Sequence, residues 1–238
     1  MVLLSGGMDS ATCLALAVRA GGPVHALTVA YGQRHDRERR SARALARHYG
    51  VVRHVELTLP LGPLLRSALT DRARPLPRGR TRRARIPSTY VPARNTILLA
   101  VALGYAESAD LGAIYLGANA IDYSGYPDCR PEFLRAFERM ARLGTRRGVE
   151  SGVGIHLRAP LLRRSKAGIV RLGERLGVPW ALTWSCYAGG RRPCGECDAC
   201  RLRALGFAGA KVVDPVATAP GRRGAPPPST PGRPRRPG

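Results

Sequence analysis

Ser5-Gly6-Gly7-Met8-Asp9-Ser10 places two hydroxyls, two adjacent glycines and a carboxylate within six residues. Adjacent glycines let a backbone curl tightly and approach a ligand closely. A helical run follows, so the turn aims free N–H groups and a helix N-terminus at one point, which suits a phosphate. Asp9 is the unexpected member, because a carboxylate beside phosphates makes chemical sense mainly with Mg²⁺ between them. The pattern is not the G-x-x-x-x-G-K-[ST] phosphate loop. The bland alternative is a Ser/Gly turn that only caps a helix.

A second cluster lies far along the chain. Cys194, Cys197 and Cys200 form C-x2-C-x2-C, and Cys186 precedes them by eight residues. Gly189, Gly190, Pro193 and Gly195 supply turns between them. Four thiolates around a tight turn fit tetrahedral zinc and leave no open position, so the expected Zn²⁺ is structural, one per chain. Disulfides fit a cytosolic chain less well, and an iron–sulfur cluster is the chemical runner-up. Cys13, on the first helical run, reads as core. Cys129 reads as a packed or substrate-facing thiol, with a nucleophile as the sharper alternative.

Three weaker clusters complete the inventory. Tyr31-Gly32-Gln33-Arg34-His35 ends an apolar run, Val91-Pro92-Ala93-Arg94-Asn95 precedes a helical one, and Asp122-Tyr123-Ser124-Gly125-Tyr126-Pro127-Asp128-Cys129-Arg130 follows another apolar run. Each alone is explained by turn chemistry and capping. His35 is either a proton acceptor or a surface histidine. Lys166 follows Ser165, a natural N-cap, and is either a phosphate partner or a solvated helix-start lysine.

The elements that must hold these residues alternate. Strands are expected at Val2–Leu4, Val24–Tyr31, Val51–Leu57, Ala113–Gly117 and Ile155–Ala159, and helices at Met8–Ala20, Asp36–Tyr49, Asn95–Ser108, Pro131–Leu143 and Ser165–Leu176. Pro131 suits a first helical position, and Gly50 and Gly177 suit stops. The alternation predicts an α/β fold, a doubly wound parallel sheet with helices on both faces. Ligands of such sheets bind at the carboxyl ends of the strands, where the Ser5–Ser10 turn lies. Residues 1–180 are expected to form this domain, 181–210 a small C-terminal zinc-binding subdomain packed on it, and 211–238 a disordered Pro/Arg-rich tail. Residues 60–85, rich in Pro and Arg, are expected to be a mobile loop.

The chain has 238 residues, enough for that domain and a small appendage. No apolar run is long enough for a membrane span, and the N-terminus enters a strand without a signal-peptide pattern, so a cytoplasmic location is expected. The formal charge of +23 invites a nucleic-acid reading. Its distribution argues otherwise: residues 66–85 carry eight Arg against Asp71, and the tail from Pro215 carries five Arg and no acid. Those segments hold 12 of the 23 charges, and no specific nucleic acid is expected as a partner.

The Ser5–Ser10 turn resembles the S-G-G-x-D-S loop of the N-type ATP pyrophosphatases, which cleave ATP between the α- and β-phosphates. Together with the cysteine cluster and the three loop clusters, in this order over about residues 2–207, it resembles the QueC family, the nitrile-forming ligases of queuosine and archaeosine biosynthesis. The Arg-rich stretch near 72–85 and the tail depart from the family pattern and remove no motif residue.

The resemblance implies an adenine nucleotide alpha-hydrolase-like fold and an ATP-dependent ligase. ATP activates 7-carboxy-7-deazaguanine as an adenylate, ammonia displaces AMP to give an amide, and the amide is activated in turn to give 7-cyano-7-deazaguanine. It implies ATP binding across Leu4, Ser5, Gly6, Gly7, Met8, Asp9, Ser10, Ala11, Thr12, Cys13 and Leu14, with Mg²⁺ accompanying ATP at Asp9. It implies catalytic roles for Asp9, Arg94 and Lys166, and substrate binding by Asp122, Tyr126, Asp128 and Arg130. Zinc falls to Cys186, Cys194, Cys197 and Cys200, and a homodimer is implied. A tRNA thiolase would call for catalytic cysteines and an RNA-binding domain. A zinc-ribbon nucleic-acid binder would leave the Ser5–Ser10 turn unexplained.

Overall fold

A computed structural model describes residues 1–71, 73–76, 86–120 and 125–216. Five parallel strands form one sheet: β1 Val2–Leu3, β2 His25–Ala30, β3 Arg53–Thr58, β4 Ala113–Tyr115 and β5 His156–Arg158, in the order β3-β2-β1-β4-β5. Val2 pairs with Ala26 on one side and Tyr115 on the other, so β1 is central. A strand covered on both faces reads as a continuous apolar run, and Met1 to Leu4 are all buried. Side chains alternate along a strand. Val2 and Leu4 accordingly enter one core and Met1 and Leu3 the other.

Helices cover both faces, as the alternation requires. α1 Met8–Arg19 and α2 Arg37–His48 cover the Val2 face. α3 Arg94–Ser108 and α4 Pro131–Gly144 cover the Leu3 face. The expected elements all form, with ends displaced by a residue or two. Pro131 opens α4, and Gly50 and Gly177 adopt positive φ just past their helices.

A short α5, Arg146–Ser151, follows α4, and α6 is Lys166–Arg175. The Ser165 hydroxyl caps α6 by accepting from the Gly168 N–H at 3.2 Å. A further helix, α7 Asp198–Ala210, was not expected from the sequence. It packs on α6 at close range: a Cβ on Gly206 would lie 3.1 Å from the Lys166 Cβ. Small residues on α7 thus set the start of α6, which carries Lys166.

Two expected boundaries need refinement. The segment 211–216, assigned to the tail, is docked: Asp214 pairs with the buried Arg203, and Val216 packs on the cysteine cluster. Residues 61–71, assigned to a mobile loop, are held by internal turns, and Arg34 Nε and Nη2 donate to the carbonyls of Ala68 and Asp71 at 2.9 and 2.8 Å. Residues 72, 77–85 and 217–238 lie outside the described residues. No helix among the described residues is long and apolar enough to cross a membrane.

Candidate active site

The strand order reverses between β1 and β4, the position at which doubly wound sheets bind ligands. A cleft of about 290 Å³ opens there. The Ser5–Ser10 turn forms its floor. Gly6 has φ +86°, and a Cβ at that position would stand 2.2 Å from the Glu38 carbonyl oxygen. Glycine is therefore required both for backbone shape and for the approach of α2. The serines brace the turn: Ser10 Oγ accepts from the Ser5 N–H at 3.2 Å and donates to the Gly7 carbonyl at 3.0 Å. The Gly7 N–H reaches Ser5 Oγ at 3.3 Å.

Of the expected ATP-binding stretch, Leu4, Ser5, Gly7, Met8, Asp9 and Ser10 line the cleft. Ala11, Thr12, Cys13 and Leu14 lie beneath it in the core. The Cys13 thiol meets the Leu116 carbonyl at 3.6 Å, and burial first, then Asp9, pushes its pKa far up, so it stays protonated.

Three elements converge on Asp9. Its Oδ2 accepts from Lys166 Nζ at 2.6 Å and from Asn119 Nδ2 at 3.3 Å. The Lys166 side chain is only 11% exposed, so it is no solvated helix-start lysine. Asp9 Oδ1 is buried and accepts no hydrogen bond from the described residues. A buried carboxylate oxygen without a donor suits a hard cation, and the donor chemistry fits Mg²⁺.

Arg94 enters from the opposite wall. Ala93 holds a left-handed φ of 51° at the N-cap of α3, and Arg94 follows. Its guanidinium lies 5.7 Å from the centre of the Tyr31 ring. Nε and Nη2 donate to Asn95 Oδ1 at 3.3 and 3.2 Å. Glu38 lines the same wall, and burial pushes its carboxyl up to about 7 against the pull of Arg94. His35 also faces the cleft, and burial lowers its pKa and favours the neutral ring.

The expected substrate loop divides. Tyr126 lines the cleft, stacked on Tyr90 with ring centres 5.9 Å apart, and its hydroxyl meets Thr89 Oγ1 at 3.0 Å. Cys129 lines it too. Asp128 is buried, and its Oδ2 accepts the Asn95 N–H at 2.9 Å, so this carboxylate caps α3. Arg130 is the exposed N-cap residue of α4. Asp122 lies outside the described residues.

The four cysteine sulfurs lie within 4.8 Å of one another. Zinc–sulfur bonds of about 2.3 Å in a tetrahedron call for sulfurs about 3.8 Å apart, so the set fits. Backbone N–H groups of Cys194 and Ala188 point at Cys186 Sγ from 3.3 and 3.4 Å. Hydrogen bonds from the Cys197 and Cys200 thiols hold the Cys186 thiol well below its ordinary range, which favours the thiolate. Three ligands come from turns; Cys200 sits in the first turn of α7, so the site is not confined to a loop. The cluster borders the cleft: the Trp184 N–H donates to the Gly6 carbonyl at 2.9 Å, and the Arg37 guanidinium lies 4.7 Å from the centre of the Trp184 ring.

Sequence reasoning singled out Asp9, Arg94, Lys166, Tyr126 and Cys129, all of which reach the cleft. It overlooked Glu38, Asn119 and Trp184. Glu38 stands three residues past the Tyr31–His35 cluster, which is one turn of helix from it and the only signal available.

A family model described as "Queuosine biosynthesis protein QueC" matches residues 1–211. A "7-cyano-7-deazaguanine synthase" of Anaeromyxobacter sp. (strain Fw109-5) is 57% identical over 91% of this chain and 94% of its own length. The relative of the same name from Aromatoleum aromaticum is 53% identical over 91% of this chain and 96% of its own. That from Thermoplasma acidophilum is 51% identical over 91% and 90%.

Proposed function

The chain belongs to the QueC family, and from that premise we propose that it is an ATP-dependent carbon–nitrogen ligase converting 7-carboxy-7-deazaguanine and ammonia to 7-cyano-7-deazaguanine. The observation that carries this reading is the meeting of Asp9, Lys166 and Arg94 around one glycine-built turn. A carboxylate or amide oxygen is a poor leaving group, and attaching AMP makes it a good one. The protein's share is alignment and charge neutralisation. The Ser5–Ser10 turn offers N–H groups and the α1 N-terminus to the pyrophosphate. Lys166 and Arg94 neutralise phosphate charge from opposite walls.

Mg²⁺ would be held at Asp9 through Oδ1 and would supply charge neutralisation on the phosphates. Lys166 holds the other oxygen and so orients the carboxylate. Zinc, held by Cys186, Cys194, Cys197 and Cys200, is structural, since four protein ligands leave no open position.

The Tyr126 ring, stacked on Tyr90 where it lines the cleft, is the aromatic surface that would contact the flat base. With Asp128 engaged by Asn95, we assign the paired N–H groups of the deazaguanine to Asp122, and Arg130, exposed at the N-cap of α4, completes the proposed substrate loop. The substrates are ATP, ammonia and the deazaguanine acid; the working form is a cytoplasmic homodimer.

The test is incubation with 7-carboxy-7-deazaguanine, ammonium and Mg·ATP, with product masses and AMP recorded. A nitrile product, with AMP released only when the acid is present, is expected. AMP release indifferent to the acid would overturn the reading.

A further inference from the structure

Asn95 stands at the join between the two walls of the cleft, and its five polar contacts run in two directions. It is 4% exposed. Its side-chain oxygen accepts from Arg94 Nε at 3.3 Å and Nη2 at 3.2 Å. Its side-chain N–H group turns the other way, donating to Cys129 Sγ at 3.0 Å and the Asp128 carbonyl at 3.4 Å. Its backbone N–H donates to Asp128 Oδ2 at 2.9 Å. A primary amide carries an acceptor on one branch and two donors on the other. Aspartate keeps the acceptor and loses the donors, and alanine loses both. The left-handed Ala93 just before supports the same point, because a non-glycine residue in that region persists where surrounding structure holds it, often at functional sites.

We propose that Asn95 is a positioning residue that locks the Arg94 guanidinium and the Tyr126–Cys129 turn into one fixed relation. The group facing phosphate and the wall facing the base are then aligned for the same bond-forming step. This rests on the ligase reading above, in which Arg94 meets phosphate and Tyr126 meets the base. Where catalysis is mostly alignment, a displacement of about 1 Å costs on the order of 10²-fold in rate. A residue that only capped α3 would lower the melting temperature and leave the turnover of folded molecules unchanged.

The experiment compares Asn95→Ala, Asn95→Asp, Arg94→Ala and the Arg94→Ala/Asn95→Ala pair in the zinc-loaded full chain, with folded fraction fixed by circular dichroism. Substrate-dependent AMP release gives kcat and both KM values. Asn95→Ala should lower kcat by on the order of 10²-fold with little change in the KM for ATP, and the pair should be no slower than Arg94→Ala alone. Asn95→Asp should recover part of kcat, since the Arg94 arm survives, while the KM for the deazaguanine acid stays raised. A wild-type kcat in folded Asn95→Ala, or a double variant whose loss is the product of the single losses, overturns the proposal. If the wild type itself releases no AMP, the ligase reading fails separately. Alkylation of Cys129 by iodoacetamide, mapped by peptide mass, then decides the coupling. Arg94→Ala should change its rate severalfold when Asn95 is present and leave it unchanged in Asn95→Ala; equal changes in both backgrounds overturn the proposal.

Discussion

Replacing Asp9 by Asn keeps the shape at the centre of the cleft and removes one charge. The ion pair with Lys166 spans 2.6 Å, with the side chains 22% and 11% exposed. At an effective dielectric constant of about 20, that separation corresponds to about 6 kcal/mol of gross attraction. Most of it offsets the desolvation of the two groups. Breaking a fully buried pair costs about 3–5 kcal/mol, and partial exposure lowers this to about 1–3 kcal/mol here. The catalytic loss is separate: removing one preorganised charge-stabilising group costs on the order of 10²–10³ in rate, about 3–4 kcal/mol. Two assays separate them, thermal unfolding for the first and substrate-dependent AMP release for the second. Asp9→Asn should lose both. Adding Lys166→Met should return stability, since no lone charge remains buried, and should not return turnover. Undiminished AMP release by Asp9→Asn would refute the assignment of Asp9 to the phosphate site.

Elemental analysis should find one zinc per chain, and Cys→Ser at any of Cys186, Cys194, Cys197 or Cys200 should release it and lower the melting temperature. Arg203 and Asp214 are paired at 2.7 Å with side chains 6% and 8% exposed, so Asp214→Ala should cost about 3–5 kcal/mol in denaturant unfolding. Glu38, its carboxyl raised from 4.5 to about 7 by burial, keeps a proton in the folded chain that the unfolded chain releases. Stability is therefore lost as pH rises through that window, and Glu38→Gln should gain about 2–3 kcal/mol on wild type between about pH 5 and about pH 8. A gain in the opposite sense would show that Glu38 is stabilised as an anion.

The sheet was legible because its central strand β1 is buried on both faces and helices such as α2 and α4 carry an apolar stripe, so apolar runs and a helical period alternate along the chain. Local pattern alone left Lys166 between a phosphate partner and a solvated helix-start lysine, and only the family resemblance favoured the first, since its partner Asp9 lies 157 residues away and no local pattern encodes that meeting. α7 is not legible because it begins among the clustered cysteines and shows little amphipathic contrast: it is covered by α6 on one side and feeds Cys200 to the cluster on the other. The contact made by Asp128 was hidden for a related reason. Its carboxylate accepts the N–H of Asn95, in the first turn of α3 and 33 residues earlier in the chain, a pairing that no local pattern encodes.

The hydrogen bond from Trp184 to Gly6 bears on how the protein comes into being during synthesis. The Ser5–Ser10 turn is synthesised well before its brace, which lies about 180 residues further along the chain. The N-terminal strands and helices can begin to pair as they emerge, but the turn stays without its brace until residues near 184 are free to fold back. Contacts of such long sequence separation form late, because the loop between them must be closed first. A nascent chain is thus a scaffold without a finished cleft until Trp184 has emerged, and a product of premature termination upstream of Trp184 is left with the turn unbraced.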